Sequence, residues 1–345
     1  MIRFGPAGIP LSCKGRTLKD GIEDVHNLSL TALEIQMVRS SSMETYPDEE
    51  DIGVPMKDLD GRLVVEIIRD DGFIADPDTP IEEDDILVQM VSNIASNISD
   101  LQSIGSLARK VDVDVSIHAP NYIDLGSNSP LTENCMDSIR HVALIENAIG
   151  GDTVVTNLGL YNGDDQDEID GNIVENVASL MDWWQNEGLK PKLGVEITGQ
   201  QDVFGSLDQV LDICDEIDGL VPVINWPHYH SRTGGSLLEV EDFQYVLDQV
   251  EPYCNGHIYS IFAGVEYSEG NVNRLTPIKK GDLKFDTLAE CLVEKKPDIT
   301  LISSSPLLEH DAMYMRIIHE RYLSKKVAKA LRARRKEAEA AEEQA

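Results

Sequence analysis

Nowhere in this chain do about 18 apolar residues follow one another, the length a membrane-crossing helix needs. The N-terminal stretch Met1–Pro10 has no basic head with an apolar core behind it, so a secretory leader is not indicated either. The chain is expected in solution in the cytoplasm. Cysteine is scarce and unpatterned. Cys13, Cys135, Cys214, Cys254 and Cys291 are odd in number, widely spaced and form no Cys-x-x-Cys motif, which argues against a disulfide framework or a zinc knuckle. Basic residues are few: 29 Lys and Arg face 62 Asp and Glu, a formal charge of −33. Phosphate backbones are held by cationic side chains, so the charge argues against a generic affinity for nucleic acid and any such contact has to be local. A surface this acidic repels itself unless salt shortens the reach of its charges, and the expected source is a halophile with a very salty cytoplasm.

What the chain does have is 345 residues, 41% of them hydrophobic, and a recurring strand-then-helix rhythm. Eight strands are expected, at Ile2–Phe4, Ala32–Val38, Asp112–His118, Thr153–Asn157, Leu193–Ile197, Val221–Asn225, His257–Phe262 and Ile299–Ser303. Between them, helices announce themselves by starts, stripes and stops. Pro130 opens a helix over 131–149 that Gly150–Gly151 ends, Ser206 caps the next but one, and Ser236 with Glu239 forms a capping box for a helix carrying Phe243, Val246, Leu247 and Val250. Eight such units predict a (β/α)8 barrel over 1–320, an α/β fold. Residues 45–88 are extra to it: an acidic insertion read as a surface β-hairpin, with strand-like runs at 63–68 and 72–75. Residues 321–345 form a charged helical tail, whose run Lys325, Lys326, Lys329, Arg332, Arg334, Arg335, Lys336 is read as a solvated face ahead of an acidic end, Glu337–Glu343.

Chemistry is expected where apolar strands end in polar groups. Val221–Ile224 breaks into Asn225, His228, His230 and Arg232 within eight residues, too many polar groups to bury without partners. Glu196 interrupts Leu193–Ile197, and His118 ends Asp114–His118. In a barrel the C-terminal strand ends gather such groups into one cavity, and a lone carboxylate there has few structural explanations.

These motifs resemble the endonuclease IV family of the xylose-isomerase-like barrels, in its archaeal branch. The likeness is carried by Arg3–Pro10, Leu33–Gln36, His118–Tyr122, Gly159–Tyr161, Gly194–Gly199, Phe204–Asp208, Asn225–Arg232, Ala263–Tyr267 and Ser305–Glu309. The resemblance implies hydrolysis of DNA on the 5′ side of abasic sites by three zinc ions, which generate hydroxide and stabilise both the attacking and leaving oxygens. It implies metal-ligand positions at His118, Glu196 and His228, with Glu196 also the catalytic residue, and substrate contacts from Tyr122, Tyr161, His230, Arg232 and Arg274.

The chain departs from that pattern. Where the family has His, Asp, His, an acid, His and Glu, it carries Asn157, Asn225, Ile261, Asn271 or Val272, Arg274 and Ser304. Zinc prefers imidazole, carboxylate or thiolate, so Asn157 and Asn225 are weak ligands and at most one zinc or other divalent cation is expected, bound weakly, or none. The expected function is an endonuclease IV-like DNA-repair protein with an eroded metal site and altered or reduced activity, its partner DNA with abasic sites. Two further readings stand beside it: a non-catalytic paralogue that binds DNA or a partner, and a sugar isomerase or epimerase on the same barrel, where one metal and an acid–base pair suffice.

Overall fold

The computed structural model describes residues 1–342 apart from 39, 40, 93, 162 and 164; in the last helix it describes side chains as far as 334 and that of 337. Arg335, Lys336 and Glu343 of the charged tail lie outside the described side chains.

The chain opens with β1 (Ile2–Pro6), α1 (Leu18–Asn27) and β2 (Ala32–Gln36). A small sheet of β3 (Ser42–Thr45), β4 (Val64–Arg69), β5 (Gly72–Ile74) and β6 (Ile86–Met90) comes next, followed by α2 (Ile98–Lys110). The rhythm then resumes with β7 (Asp114–His118), α3 (Pro130–Ile149), β8 (Thr153–Thr156), α4 (Gln166–Asn186), β9 (Lys192–Glu196), α5 (Leu207–Glu216) and β10 (Leu220–Asn225). A short α6 (Trp226–Arg232) and then α7 (Val240–Val250) lead to β11 (Ile258–Phe262). The hairpin β12 (Gly264–Ser268) and β13 (Asn271–Thr276) precedes α8 (Phe285–Lys295), β14 (Ile299–Ser303) and α9 (Glu309–Glu342).

Eight strands, β1-β14-β11-β10-β9-β8-β7-β2, form one parallel sheet that curls until a parallel bridge from Ala7 to Glu34 joins its edges. Closure requires Gly5: a Cβ there would lie 1.8 Å from the Ala32 carbonyl oxygen. The main core lies between strands and helices, while the barrel interior holds a smaller layer of Ala32, Val155, Val223, Tyr259, Ile261 and Ile302. The (β/α)8 architecture is as the strand–helix rhythm predicts.

Three local expectations are corrected. The insertion is a four-stranded antiparallel sheet ordered β3-β6-β4-β5 rather than a surface hairpin, and Met56, Leu63, Val64, Ile67, Ile81 and Leu87 bury its inner face in the main core. Helix α7 is capped by Glu239 with Asp242, three residues later than the Ser236 box, because Asp242 Oδ2 accepts from the Leu238 and Glu239 amides. The hairpin β12–β13 was not expected; its polar sequence hides a twisted pair bound across Glu266 and Arg274. Helix α9 runs unbroken through residue 321.

Candidate functional site at the barrel mouth

The C-terminal ends of the strands open into a cavity of about 440 Å³. Strand β2 supplies Glu34 and Gln36, β7 ends in His118, β9 ends in Glu196 and β10 ends in Asn225, all at its wall. Asn225 is also the N-cap of α6: its Oδ1 accepts from the His228 amide at 3.2 Å, and the first turn of that helix thereby brings His228 to the same wall. The three side chains singled out from sequence, His118, Glu196 and His228, thus meet across 110 residues of chain.

Their hydrogen bonds are mutual. His118 Nε2 lies 3.3 Å from Glu196 Oε2, and its Nδ1 is 2.7 Å from the Ala119 carbonyl, so both ring nitrogens donate when the ring is charged. The other Glu196 oxygen accepts from Asn225 Nδ2 at 2.6 Å. His228 Nδ1 is 3.2 Å from the Ile197 carbonyl. Below them Glu34 accepts from Gln36 Nε2 at 2.5 Å and from the Tyr259 hydroxyl at 2.8 Å, and Tyr259 in turn meets Ser116 inside the barrel.

Burial and charge set the protonation states. Burial pushes the Glu34 carboxyl up to about 7 against the pull of the His118 charge. For His118, burial opposes charge, yet the hydrogen bond and charge of Glu196 outweigh it and hold the ring at about 9. Glu196 is the mirror case: burial raises it, His118 outweighs burial, and it settles at about 2. His228 is lowered by burial and stays neutral. The site at neutral pH is therefore an ion pair, His118 with Glu196, flanked by a neutral imidazole and a carboxyl poised near neutrality.

The donor set does not fit the three-ion cluster that the resemblance implies. Ile261 and Ser304 stand on this wall as an aliphatic and a hydroxyl, and Asn157 donates its amide to the Asn121 carbonyl at 3.1 Å. Asn225 turns an N–H, not a lone pair, towards Glu196. Among the described residues no three His, Cys, Asp or Glu side chains are grouped so as to hold a metal ion.

Of the expected substrate contacts, Tyr122 lines the cavity at its rim, 55% exposed. The others point elsewhere. The Tyr161 hydroxyl is tied to Asp170 at 2.8 Å, and Arg232 braces the loop after β9 through Thr198 Oγ1 and the Gln200 and Val203 carbonyls. His230 is buried behind the site, taking the Leu237 amide on Nδ1 with Nε2 3.3 Å from Asp282. Arg274 sits on the exposed hairpin in a bidentate pair with Glu266 at 2.8 Å, because it faces outward where a family ligand would face in. Residues that sequence reasoning passed over are Glu34, Gln36, Asn121, Thr198 and Gln200. The signal for Glu34 was a carboxylate at an inward position of the strand Ala32–Gln36.

Fold and site together define a parallel (β/α)8 barrel with a polar, buried centre at the C-terminal ends of its strands. The chain belongs to the xylose isomerase-like TIM barrel family, whose model matches residues 60–306. An uncharacterised protein of Methanocaldococcus jannaschii is 27% identical over 212 residues, 59% of this chain and 76% of the relative. Among solved structures, a D-tagatose 3-epimerase-like protein superposes with a TM-score of 0.61 at 15% identity, covering 94% of this chain and 99% of its own. Endonuclease IV from Thermus thermophilus superposes with a TM-score of 0.56 at 16% identity, covering 93% and 99%. At such identities the superpositions speak for the fold alone. Among the described residues no helix is long and apolar enough to cross a membrane.

Proposed function

We propose that the barrel mouth is an acid–base site for a small, uncharged, polyhydroxylated ligand of the sugar class, with Glu34 as the group that exchanges a proton. The observation that carries this reading is the composition of the wall: Glu34, Glu196, His118 and His228 among neutral amides and hydroxyls, with no Lys or Arg among the described lining residues. A phosphodiester would bring negative charge to a wall whose described residues offer no cationic side chain beyond the paired His118. Hydroxyl groups suit it better, since Gln36, Asn121, Asn157 and Gln200 offer both donors and acceptors, and the Ser304 hydroxyl has no partner among the described residues. The cavity volume of about 440 Å³ is that of a small-molecule site. A carboxyl at about 7 can both take and return a proton near neutrality. The reaction class is isomerisation or epimerisation: a proton leaves a carbon beside a carbonyl and returns to that carbon or its neighbour, with no net change in composition.

A second reading, an endonuclease IV-like protein acting on abasic DNA, is favoured by the His118–Tyr122 and Asn225–Arg232 motifs and by the exposed Tyr122 ring, which offers a stacking face at the rim. In either case the charge of −33 supports work in a salt-rich cytoplasm. One experiment separates them: incubation in molar KCl with a panel of ketoses and, in parallel, with a duplex carrying one abasic site. Conversion of a ketose, lost in Glu34→Gln, is the expected result. Strand scission 5′ to the lesion, lost in Glu196→Gln, would replace it with the second reading; neither activity would leave a non-catalytic paralogue.

A further inference from the structure

Helix α9 outlasts the body it packs on. Its first half buries Ala312, Met315 and Ile318 against the barrel, but from Leu323 onward every described side chain is exposed. The 20 residues from Leu323 to Glu342 carry the helix about 30 Å past its last half-buried side chain, Tyr322. The two sides of this overhang differ. Lys325, Lys326 and Lys329 continue the body-facing side, sharing a groove with Glu290 and Glu294 of α8, and Lys326 donates to the Val293 carbonyl at 2.8 Å. These lysines thereby face acids of their own chain across the groove. The opposite side carries Leu323, Val327 and Leu331, 42%, 51% and 60% exposed, spaced by four so that they form one apolar stripe.

The stripe is symmetric about Val327. Leu323 and Leu331 stand four residues to either side, and seven residues to either side stand Glu320 and Arg334, an acid and a base on the same outward side. An antiparallel pair of such helices related by a two-fold axis at Val327 sets Leu323 of each against Leu331 of the other, and Glu320 of each against Arg334 of the other. A parallel pair would set like charge against like. Glu320 also meets Arg316 one turn earlier, at 3.3 Å, which leaves one carboxylate between two guanidinium groups in the pair.

We infer that α9 is a dimerisation helix: its outward stripe pairs antiparallel with the same stripe of a second copy of this chain, centred on Val327. The interface is isologous, so each contact occurs twice. It is small, an apolar seam with two charge pairs at its ends, and the dimer is therefore concentration-dependent.

The test uses the full chain in molar KCl. Sedimentation should give twice the chain mass at high concentration, and Val327→Asp should give a monomer with unchanged helical content. Val327→Cys should cross-link to itself under mild oxidation, whereas Leu323→Cys and Leu331→Cys should each cross-link poorly alone and efficiently when mixed. Glu320→Arg and Arg334→Glu should each weaken the dimer, and the double swap should restore it. A monomer at all concentrations overturns the inference, as does self-cross-linking of Leu323→Cys as strong as that of Val327→Cys. A monomer that retains plain duplex DNA through Lys325 and Lys329 would also overturn it and make the tail a phosphate-binding element.

Discussion

Asn225 uses both ends of its amide: the oxygen caps α6 and the nitrogen donates to Glu196 at 2.6 Å. A carboxylate in its place keeps the cap and loses the donor, leaving two buried acids in contact. Asn225→Asp is expected to cost about 2 kcal/mol of stability in metal-free buffer, because it sets one buried charge against another; added zinc should recover part of it, and thermal unfolding with and without the ion reads both. Glu196→Gln removes the partner that holds His118 charged. Its imidazole, now at about 9, should titrate below the ordinary 6.5 because only burial and weaker contacts remain, which NMR of the ring protons would follow. Glu146, away from the site, is fully buried with neither oxygen in a hydrogen bond of normal geometry among the described residues; the nearby Thr153 amide compensates it only in part. Burial raises its carboxyl well above the ordinary 4.5. The unfolded chain then sheds this proton first as pH rises, so stability present near pH 4.5 is lost above it. Glu146→Gln should therefore raise stability in urea at neutral pH by about 1 kcal/mol or more, and do little near the ordinary carboxylate range. Residues of the site were legible where a polar group ended an apolar run, as at His118, Glu196 and Asn225. Glu34 was not, because the strand Ala32–Gln36 reads as a motif before it reads as an inward carboxylate.

Among the elements, helices α2 and α3 meet at Gly105, where a Cβ would lie 1.7 Å from the Ile149 carbonyl oxygen. Gly105→Ala must push them apart and is expected to lower stability by about 1–3 kcal/mol, measured by chemical unfolding. In the insertion sheet, Arg69 holds buried Asp85 through Nε at 2.7 Å and a second nitrogen at 2.8 Å. Arg69→Met should cost about 2 kcal/mol, at the lower side for a buried pair because the arginine is partly exposed, and should open 42–90 to limited proteolysis. The eight barrel strands were legible because each is a short apolar run bounded by turn residues. The hairpin β12–β13 was not, since Glu266, Asn271, Asn273 and Arg274 give it the composition of a loop. The insertion was half legible: β4 and β5 were visible as strand-like runs, but β3 and β6 pair across more than forty residues, and no local pattern reports such a contact.

For the whole molecule, charge and fold make separate demands. A formal charge of −33 opposes the compact state, and screening relieves it. The unfolding temperature is expected to climb from dilute buffer to molar KCl. Barrel closure was readable in the count of strand–helix units; what fills the mouth was not, because the resemblance to endonuclease IV implies a metal cluster, and the positions it assigns to ligands carry amides, a hydroxyl and an aliphatic on this wall. We read the cavity wall that remains as a proton-exchanging site centred on Glu34, as proposed above. The most direct check is NMR of candidate ketoses incubated with the protein in deuterated, KCl-rich buffer. The reading predicts that deuterium replaces a carbon-bound proton beside the carbonyl of at least one sugar, and that Glu34→Gln abolishes the exchange while the fold persists. Exchange that survives in Glu34→Gln, or no exchange with any ketose, would contradict it.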